Sequence, residues 1–334
     1  MDKIRTGLAA FGMSGQVFHA PFISTNPHFE LTAVVERSKE LSRAKYPQSR
    51  IVRSFDELIS MDELDLVVVN TPDSSHYEYA RRALEAGKHV IVEKPFTTTV
   101  EEGNELVTLA EEKGLALSVY QNRRWDCDFL TVKEILAKGF LGRLVEFEST
   151  FPRYRNFIKP NTWKETGENG GGLTYNLGAH VIDQAVQLFG MPEAVFADIA
   201  TLRTGGKVDD YFIIHLLKPA KAPEVRITLK ASYLMCENEP RFVLHGTEGS
   251  FVKYGLDPQE ADLTKACCQL FRIGGKKTDP SGEYSIRRKT VKSCVNPIRP
   301  SPETMLLFMR TSIGISVREN LCKVTPVGWL VSSV

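Results

Sequence analysis

Residues 4–17 read Ile4-Arg5-Thr6-Gly7-Leu8-Ala9-Ala10-Phe11-Gly12-Met13-Ser14-Gly15-Gln16-Val17, an apolar run that breaks into a glycine turn and resumes at helical spacing. From Ala10 to Gly15 the turn is a G-x-G-x-x-G pattern with alanine in the first glycine position. The missing side chain at Gly12 lets the backbone approach a pyrophosphate. At Gly15 it lets the helix pack close to the strand, and the amides freed at the helix start attract phosphate. Context raises this pattern above a chance match: a strand precedes it, a helix follows, and Glu36 lies 21 residues beyond Gly15. There, at the end of the second apolar run, a carboxylate can take ribose hydroxyls.

Met13, Ser14 and Gln16 complete the predicted cofactor turn, and Arg37 and Ser38 follow Glu36. A carboxylate repels a 2′-phosphate, whereas Arg37 and Ser38 can bind one or stack on adenine. The reading favours NAD and leaves NADP open.

Working outward, apolar runs alternate with helix-period segments through the first 120 residues, the pattern of strand-helix units that builds a parallel sheet. Strands are expected at Ile4–Phe11, Leu31–Glu36, near Ile51, and at Leu66–Asn70, His89–Val92 and Ala116–Tyr120. Helices are expected at His76–Ala86 and Val100–Lys113, stopping at Gly87 and Gly114. Ligands of such sheets bind beyond the carboxyl ends of the strands. That places Asn70-Thr71-Pro72 with His76, Glu93-Lys94-Pro95 and Asn122 among the expected cofactor contacts, with a solvent-facing helix start as the lesser alternative for His76. Lys94 is poorly placed for simple solvation, between an acid and a proline at a buried strand end.

After Asn122 the texture changes. A helix near Phe129–Lys138, a strand over Arg143–Phe151, a loop rich in Arg, Asn, Pro and Gly, and a helix over Leu173–Phe189 are followed by five alternating segments. Strands without intervening helices predict a mostly antiparallel, open-faced sheet. The fold class is therefore an α/β Rossmann domain with a parallel sheet (1–121), then an α+β domain (122–264), with 265–334 an atypical basic tail.

The glycine turn, Asn70-Thr71-Pro72 with His76, Glu93-Lys94-Pro95 and the later Gly170-Gly171-Gly172, Gly178-Ala179-His180 and Asp183 together resemble the glucose–fructose oxidoreductase, inositol dehydrogenase and rhizopine catabolism (Gfo/Idh/MocA) family, over residues 1 to about 264. The resemblance implies a Rossmann domain followed by an open-faced sheet domain. It also implies oxidation or reduction of hydroxyl carbons of sugars and cyclitols with NAD(P), and homodimers or homotetramers formed through the exposed sheet. By resemblance, Lys94 holds the substrate and relays a proton, with Pro95 in a cis peptide. His180 is the general acid/base, a role suited to a near-neutral side chain. Asn176, His180 and Asp183 fall at i, i+4 and i+7 on one expected helix face. The family's aspartate four residues before the histidine is replaced by Asn176, which can bond substrate but not accept a proton. Asp183 either orients His180 or bonds backbone. Arg153, Tyr154, Arg155, Trp163 and Lys164 are candidate substrate-pocket donors, and a solvated loop explains them equally.

Composition narrows the partners. A net charge of +1 over 334 residues gives no reason to expect nucleic acid, and no stretch is long and apolar enough for a membrane span or a secretory leader. A cytoplasmic enzyme with a small-molecule sugar or polyol substrate is expected. The six cysteines (Cys127, Cys236, Cys267, Cys268, Cys294, Cys322) lack C-x-x-C spacing, so free thiols and no metal site are expected. Two other readings stay open: a non-catalytic dinucleotide-binding sensor, to which Asn176 and the tail point, and an NAD-dependent glycoside hydrolase or lyase working by transient oxidation.

The tail departs from all of this. From Lys265 to Val334 there are twelve Lys or Arg against four Asp or Glu, and four of the six cysteines. The family's closing strand and helix are missing. Back-translation with chosen synonymous codons yields, two bases on, PDWGK from Phe271–Lys276, GILHTEKDGK from Gly282–Lys292 and YENIYRHIREGKPM from Phe308–Cys322. The last resembles the family's closing helix. One common offset for all three points to a reading-frame slip near Leu263–Ala266.

Overall fold

The computed structural model describes residues 2–160, 162–167, 171–266 and 284–286. These form two compact units. The first holds the chain up to Asn122 and the segment from Gln259, and the second holds Arg123–Pro258 with residues 284–286. Cys267, Cys268, Cys294, Cys322 and the proposed frame-shifted stretches, apart from 265–266 and 284–286, lie outside the described residues.

The first unit is built on six parallel strands: β1 (Ile4–Leu8), β2 (Phe29–Val35), β3 (Arg50–Val52), β4 (Leu66–Val69), β5 (His89–Val92) and β6 (Leu117–Val119), in the order β3-β2-β1-β4-β5-β6. β4 is Leu-Val-Val-Val and every residue is buried, as a strand sandwiched on both faces requires. Between the strands run α1 (Ala20–Thr25, entered through a wide π-type turn over Gly15–His19), α2 (Phe55–Ile59), α3 (His76–Glu85) and α4 (Val100–Glu112). The core joins Val67, Val69, Val90 and Val92 of the sheet to Ala80, Ala83, Leu84 and Leu106 of the helices. Local signals set the helix ends. Thr99 and Glu102 form a capping box at the start of α4, and α3 and α4 are followed by Gly87 and Gly114 at φ +76° and +63°, left-handed backbone that glycine adopts without strain. The strand order reverses between β1 and β4, so the carboxyl ends of these two neighbours open the crevice where such sheets bind ligands.

In the second unit α5 (Cys127–Ala137), β7 (Leu144–Pro152) and α6 (Ala179–Phe189) precede β8 (Pro192–Ala200), β9 (Tyr211–Pro219), β10 (Arg226–Ser232), β11 (Phe242–Gly246) and β12 (Ser250–Lys253). The sheet order is β13-β12-β11-β7-β10-β9-β8, with β13 at Tyr284–Ile286. All neighbours are antiparallel except β7 and β10, which run parallel. The mostly antiparallel sheet expected from the strand run is thus present as a mixed one. Helices cover one face: Phe189 of α6 stands edge-on to Phe147 with ring centroids 5.1 Å apart, and Phe129 of α5 lies 6.5 Å from Phe242. Burying side chains of this size contributes about 1.5–3 kcal/mol each. The strands alternate, and the outer face carries exposed Phe196 and Leu217. A last helix, α7 (Gln259–Ala266), returns to the first unit beside the Gly15–His19 turn.

The predicted helix over Leu173–Phe189 is irregular at its start. A wide turn spans Thr174–Gly178 before α6 begins at Ala179. Among the described residues, no helix is long and apolar enough to cross a membrane.

Candidate functional site

In the first unit the glycine turn is clamped from three directions. Asn70, at the end of β4, accepts a hydrogen bond from Ala10 N–H (3.0 Å) on Oδ1 and donates from Nδ2 to Ala10 O (2.8 Å). Gln16 folds back to donate to Phe11 O (2.9 Å), and its own N–H bonds Gly12 O. Ser14 donates its hydroxyl to the Glu93 carboxylate. Packing explains the second glycine: a Cβ at Gly15 would sit 2.5 Å from Ala10 O and 3.0 Å from Asn70 Nδ2. A Cβ at Gly12 would instead meet no atom within 4 Å. Gly12 therefore faces open space over the turn, beside exposed Met13. This cradle, with the first amides of the Gly15–Thr25 helical stretch, fits a pyrophosphate.

Glu93 draws the end of β5 into the same cluster. Its Oε1 lies 2.8 Å from Nε2 of His19, whose ring is fully buried and packs at a 45° tilt against Tyr120 with centroids 4.3 Å apart. Burial pushes the Glu93 carboxyl up, but the His19 and Ser14 hydrogen bonds and the charges of His19 and Lys94 outweigh it and lower the pKa to about 2. Lys94 follows, half-buried, and the Lys94–Pro95 peptide is cis. His76 is buried, not solvated. Its Nδ1 lies 2.8 Å from Pro95 O and its Nε2 3.0 Å from Thr71 O, so it stitches the β4 and β5 strand ends together. Burial lowers its pKa against the pull of those two carbonyls. Thr71 accepts from Ser75 (2.8 Å), Pro72 is exposed, and Asn122 is half-buried at the end of the unit's first segment.

The expected ribose carboxylate is engaged elsewhere. Glu36 is 5% exposed and accepts from Leu41 N–H, Ser42 N–H and the Ser42 hydroxyl at 2.8, 2.8 and 2.6 Å. Arg37 and Ser38 beside it are exposed.

In the second unit, Asp209 at the edge of β9 caps the helical stretch leading into α6. Its Oδ2 accepts from the Thr174 N–H and hydroxyl, both at 2.7 Å. Gly172, at φ +95°, touches this carboxylate so closely that a Cβ would lie 2.0 Å from Asp209 Oδ1. That contact accounts for glycine at the end of the triplet. Asn176 is half-buried in the wide turn, and His180 and Asp183 are buried in α6. Asp183, expected either to orient His180 or to bond backbone, is held by a side chain from outside α6. It takes a two-pronged bond from Arg124, Nε to Oδ2 at 2.7 Å and Nη2 to Oδ1 at 2.6 Å. Burial still raises its pKa while Arg124 pulls it down.

Of the substrate candidates, Arg153 stacks over Phe151 at 5.2 Å, and Tyr154 is exposed and bridges to Leu234. Trp163 opens a short turn over Trp163–Glu165. Arg203 frames this loop from below. It is 4% exposed and bonds Phe157 O (2.7 Å), Glu165 (2.8 Å) and Asp210 (2.9 Å). His19, Arg124, Arg203 and Asp209 were not singled out from sequence, because each acts through partners 7 to 74 residues away. Among the described residues, no group of three His, Cys, Asp or Glu could hold a metal ion.

The sequence matches two family models. The oxidoreductase family with an NAD-binding Rossmann fold covers residues 4–121, and the GFO/IDH/MocA C-terminal domain covers 129–252. An uncharacterized oxidoreductase of Schizosaccharomyces pombe is 45% identical over 272 residues, 79% of this chain and 74% of that protein. The scyllo-inositol 2-dehydrogenase (NADP(+)) IolW of Bacillus subtilis is 36% identical over 281 residues, 84% of this chain and 75% of IolW. A solved structure from Bacteroides fragilis, described only as an oxidoreductase, superposes with a TM-score of 0.85 at 58% identity, covering 99% of this chain and 95% of that one.

Proposed function

From the premise that the chain belongs to the Gfo/Idh/MocA oxidoreductase family, we propose that it is an NAD(P)-dependent dehydrogenase or reductase acting on a hydroxyl carbon of a sugar, cyclitol or related polyol. The observation that carries the reading is the open Gly12 cradle, held rigid by Asn70, Gln16 and Glu93 at the reversal of strand order. The similarity to IolW, named for scyllo-inositol and NADP(+), supports a polyol substrate.

When bound, a nicotinamide supplies the hydride acceptor or donor. The chain's own residues do the rest. Gly12, Met13, Ser14 and Gly15 hold the pyrophosphate with backbone amides, in a turn that Gln16 closes through its bonds to Gly12 O and Phe11 O. Asn70, Thr71, Pro72, His76, Glu93 and Asn122 shape the strand ends against the cofactor. Lys94 bonds the substrate oxygen as a cation and moves a proton. His180 takes or gives the hydroxyl proton at its imidazole, a transfer worth about 10²–10⁴-fold in rate. Asn176, and Arg153, Tyr154 and Trp163 of the loop, bond substrate hydroxyls. Asp183 acts through Arg124 as a positioning residue for α6. Exposed Phe196 and Leu217 on the outer sheet face support self-association as a dimer or tetramer.

Fluorescence titration with reduced dinucleotide, followed by assays on a panel of sugars and cyclitols, tests the reading. Binding with substrate-dependent hydride transfer is expected, and failure to bind either dinucleotide would overturn it.

A further inference from the structure

We infer that the dinucleotide of this chain is the 2′-phosphorylated one, held at that phosphate by Arg37 and Ser38, and that Glu36 serves the folding of its loop instead of binding ribose. The inference rests on the reading that the first unit binds a nicotinamide dinucleotide.

A carboxylate has about four lone-pair positions, and Glu36 has three of them filled: Leu41 N–H on Oε2, and Ser42 N–H and the Ser42 hydroxyl on Oε1. Ser42 is fully buried and Glu36 nearly so. To take two ribose hydroxyls, Glu36 would have to break these bonds and strand the amides that they satisfy, a costly exchange for groups already out of water. The loop is also fastened from outside. Arg53 donates to Glu36 O and Lys39 O, both at 2.9 Å, and to Glu40 Oε1 at 2.6 Å.

What this fixed loop presents to solvent is Arg37, Ser38 and Lys39. Glu40, the nearby acid that could neutralise them, is occupied by Arg43 and Arg53. Among the described residues, neither Arg37 nor Lys39 has its side chain in an ion pair. Two cations and a hydroxyl at the end of β2, with the Glu36 carboxylate before them tied inward to three donors, make a site for a dianion. Arginine's planar fork suits a phosphate there.

The test is calorimetric titration of the full chain with NADPH and NADH, and with adenosine 2′,5′-bisphosphate against 5′-AMP as probes that need no turnover. NADPH is expected to bind about ten- to a hundredfold more tightly than NADH, and the bisphosphate likewise over 5′-AMP. Arg37→Ala should bring NADPH down to the NADH level and leave NADH unchanged. Glu36→Gln should lower the melting temperature and weaken both dinucleotides alike. Equal or tighter binding of NADH, or a preference unaffected by Arg37→Ala, would overturn the inference while the dinucleotide reading stands. A Glu36→Gln variant that gains a tenfold preference for NADPH would restore ribose binding to Glu36 and also overturn it. Binding of neither dinucleotide would overturn the reading and the inference together.

Discussion

Nε2 of His19 sits 2.8 Å from Oε1 of Glu93, and through Glu93 the helix that follows the glycine turn is bonded to the residue that precedes Lys94. This pair, a buried His19 and a half-buried Glu93, thus ties together the phosphate turn and the lysine expected at the substrate. With its folded pKa lowered to about 2 from the ordinary 4.5, Glu93 contributes stability that is present above the unfolded value and lost as pH falls toward 2. Glu93→Gln should cost about 2–3 kcal/mol at pH 7, and urea denaturation at about pH 3.5 should show that gap narrowed by about 1 kcal/mol. An unchanged gap would show that the charge on Glu93 contributes nothing.

Asp183 and Arg124 give the opposite sign. Burial raises the Asp183 carboxyl above 3.8 even with Arg124 in contact. The folded state therefore holds its proton longer than the unfolded chain, and this group's contribution weakens as pH rises through the unfolded value. Arg124→Met removes the compensating cation. It should destabilise by about 3 kcal/mol at pH 7 and by less at about pH 4.5. Adding Asp183→Asn should recover part of the loss. A penalty equal at both pH values, with no recovery, would contradict the pairing.

The two glycines of the turn should separate cleanly. Gly15→Ala drives a Cβ against the Ala10 carbonyl and should cost about 1–3 kcal/mol in thermal or chemical unfolding. Gly12→Ala meets nothing, so its stability should stay within about 0.5 kcal/mol of the parent while dinucleotide affinity falls about tenfold or more. Equal effects of both substitutions on folding would remove the argument for an open cradle.

Much of this was legible from sequence for a physical reason: the signals are local. The Gly12–Gly15 turn, the all-buried β4 run, the glycines after α3 and α4, and the lysine before Pro95 are each readable within a window of a few residues. Partner choice is not local. Asn70 and Ala10, His19 and Glu93, and Arg124 and Asp183 are 59 to 74 residues apart and meet only once the sheets and helices have stacked. Glu36 shows the same limit at short range. Its position at the end of β2 was readable, but its inward turn depends on Leu41 and Ser42 folding back over it. The wide turns at Gly15–His19 and Thr174–Gly178 carry no periodicity that separates them from an α-helix.

We propose a reading-frame slip near Leu263–Ala266, and resequencing the gene tests it: the expected result is a frame change there that restores a closing helix resembling YENIYRHIREGKPM. A continuous frame, with the same basic tail in related genes, would refute it.

Steady-state turnover of the full chain measures hydride chemistry at a polyol carbon directly. With NADPH or NADP and a panel of sugars and cyclitols, at least one substrate should change the absorbance of the nicotinamide. Lys94→Ala and His180→Ala should each lower kcat by about 10²-fold or more while dinucleotide binding persists. Dinucleotide binding with no turnover on any polyol, or turnover indifferent to both substitutions, would contradict the proposed chemistry.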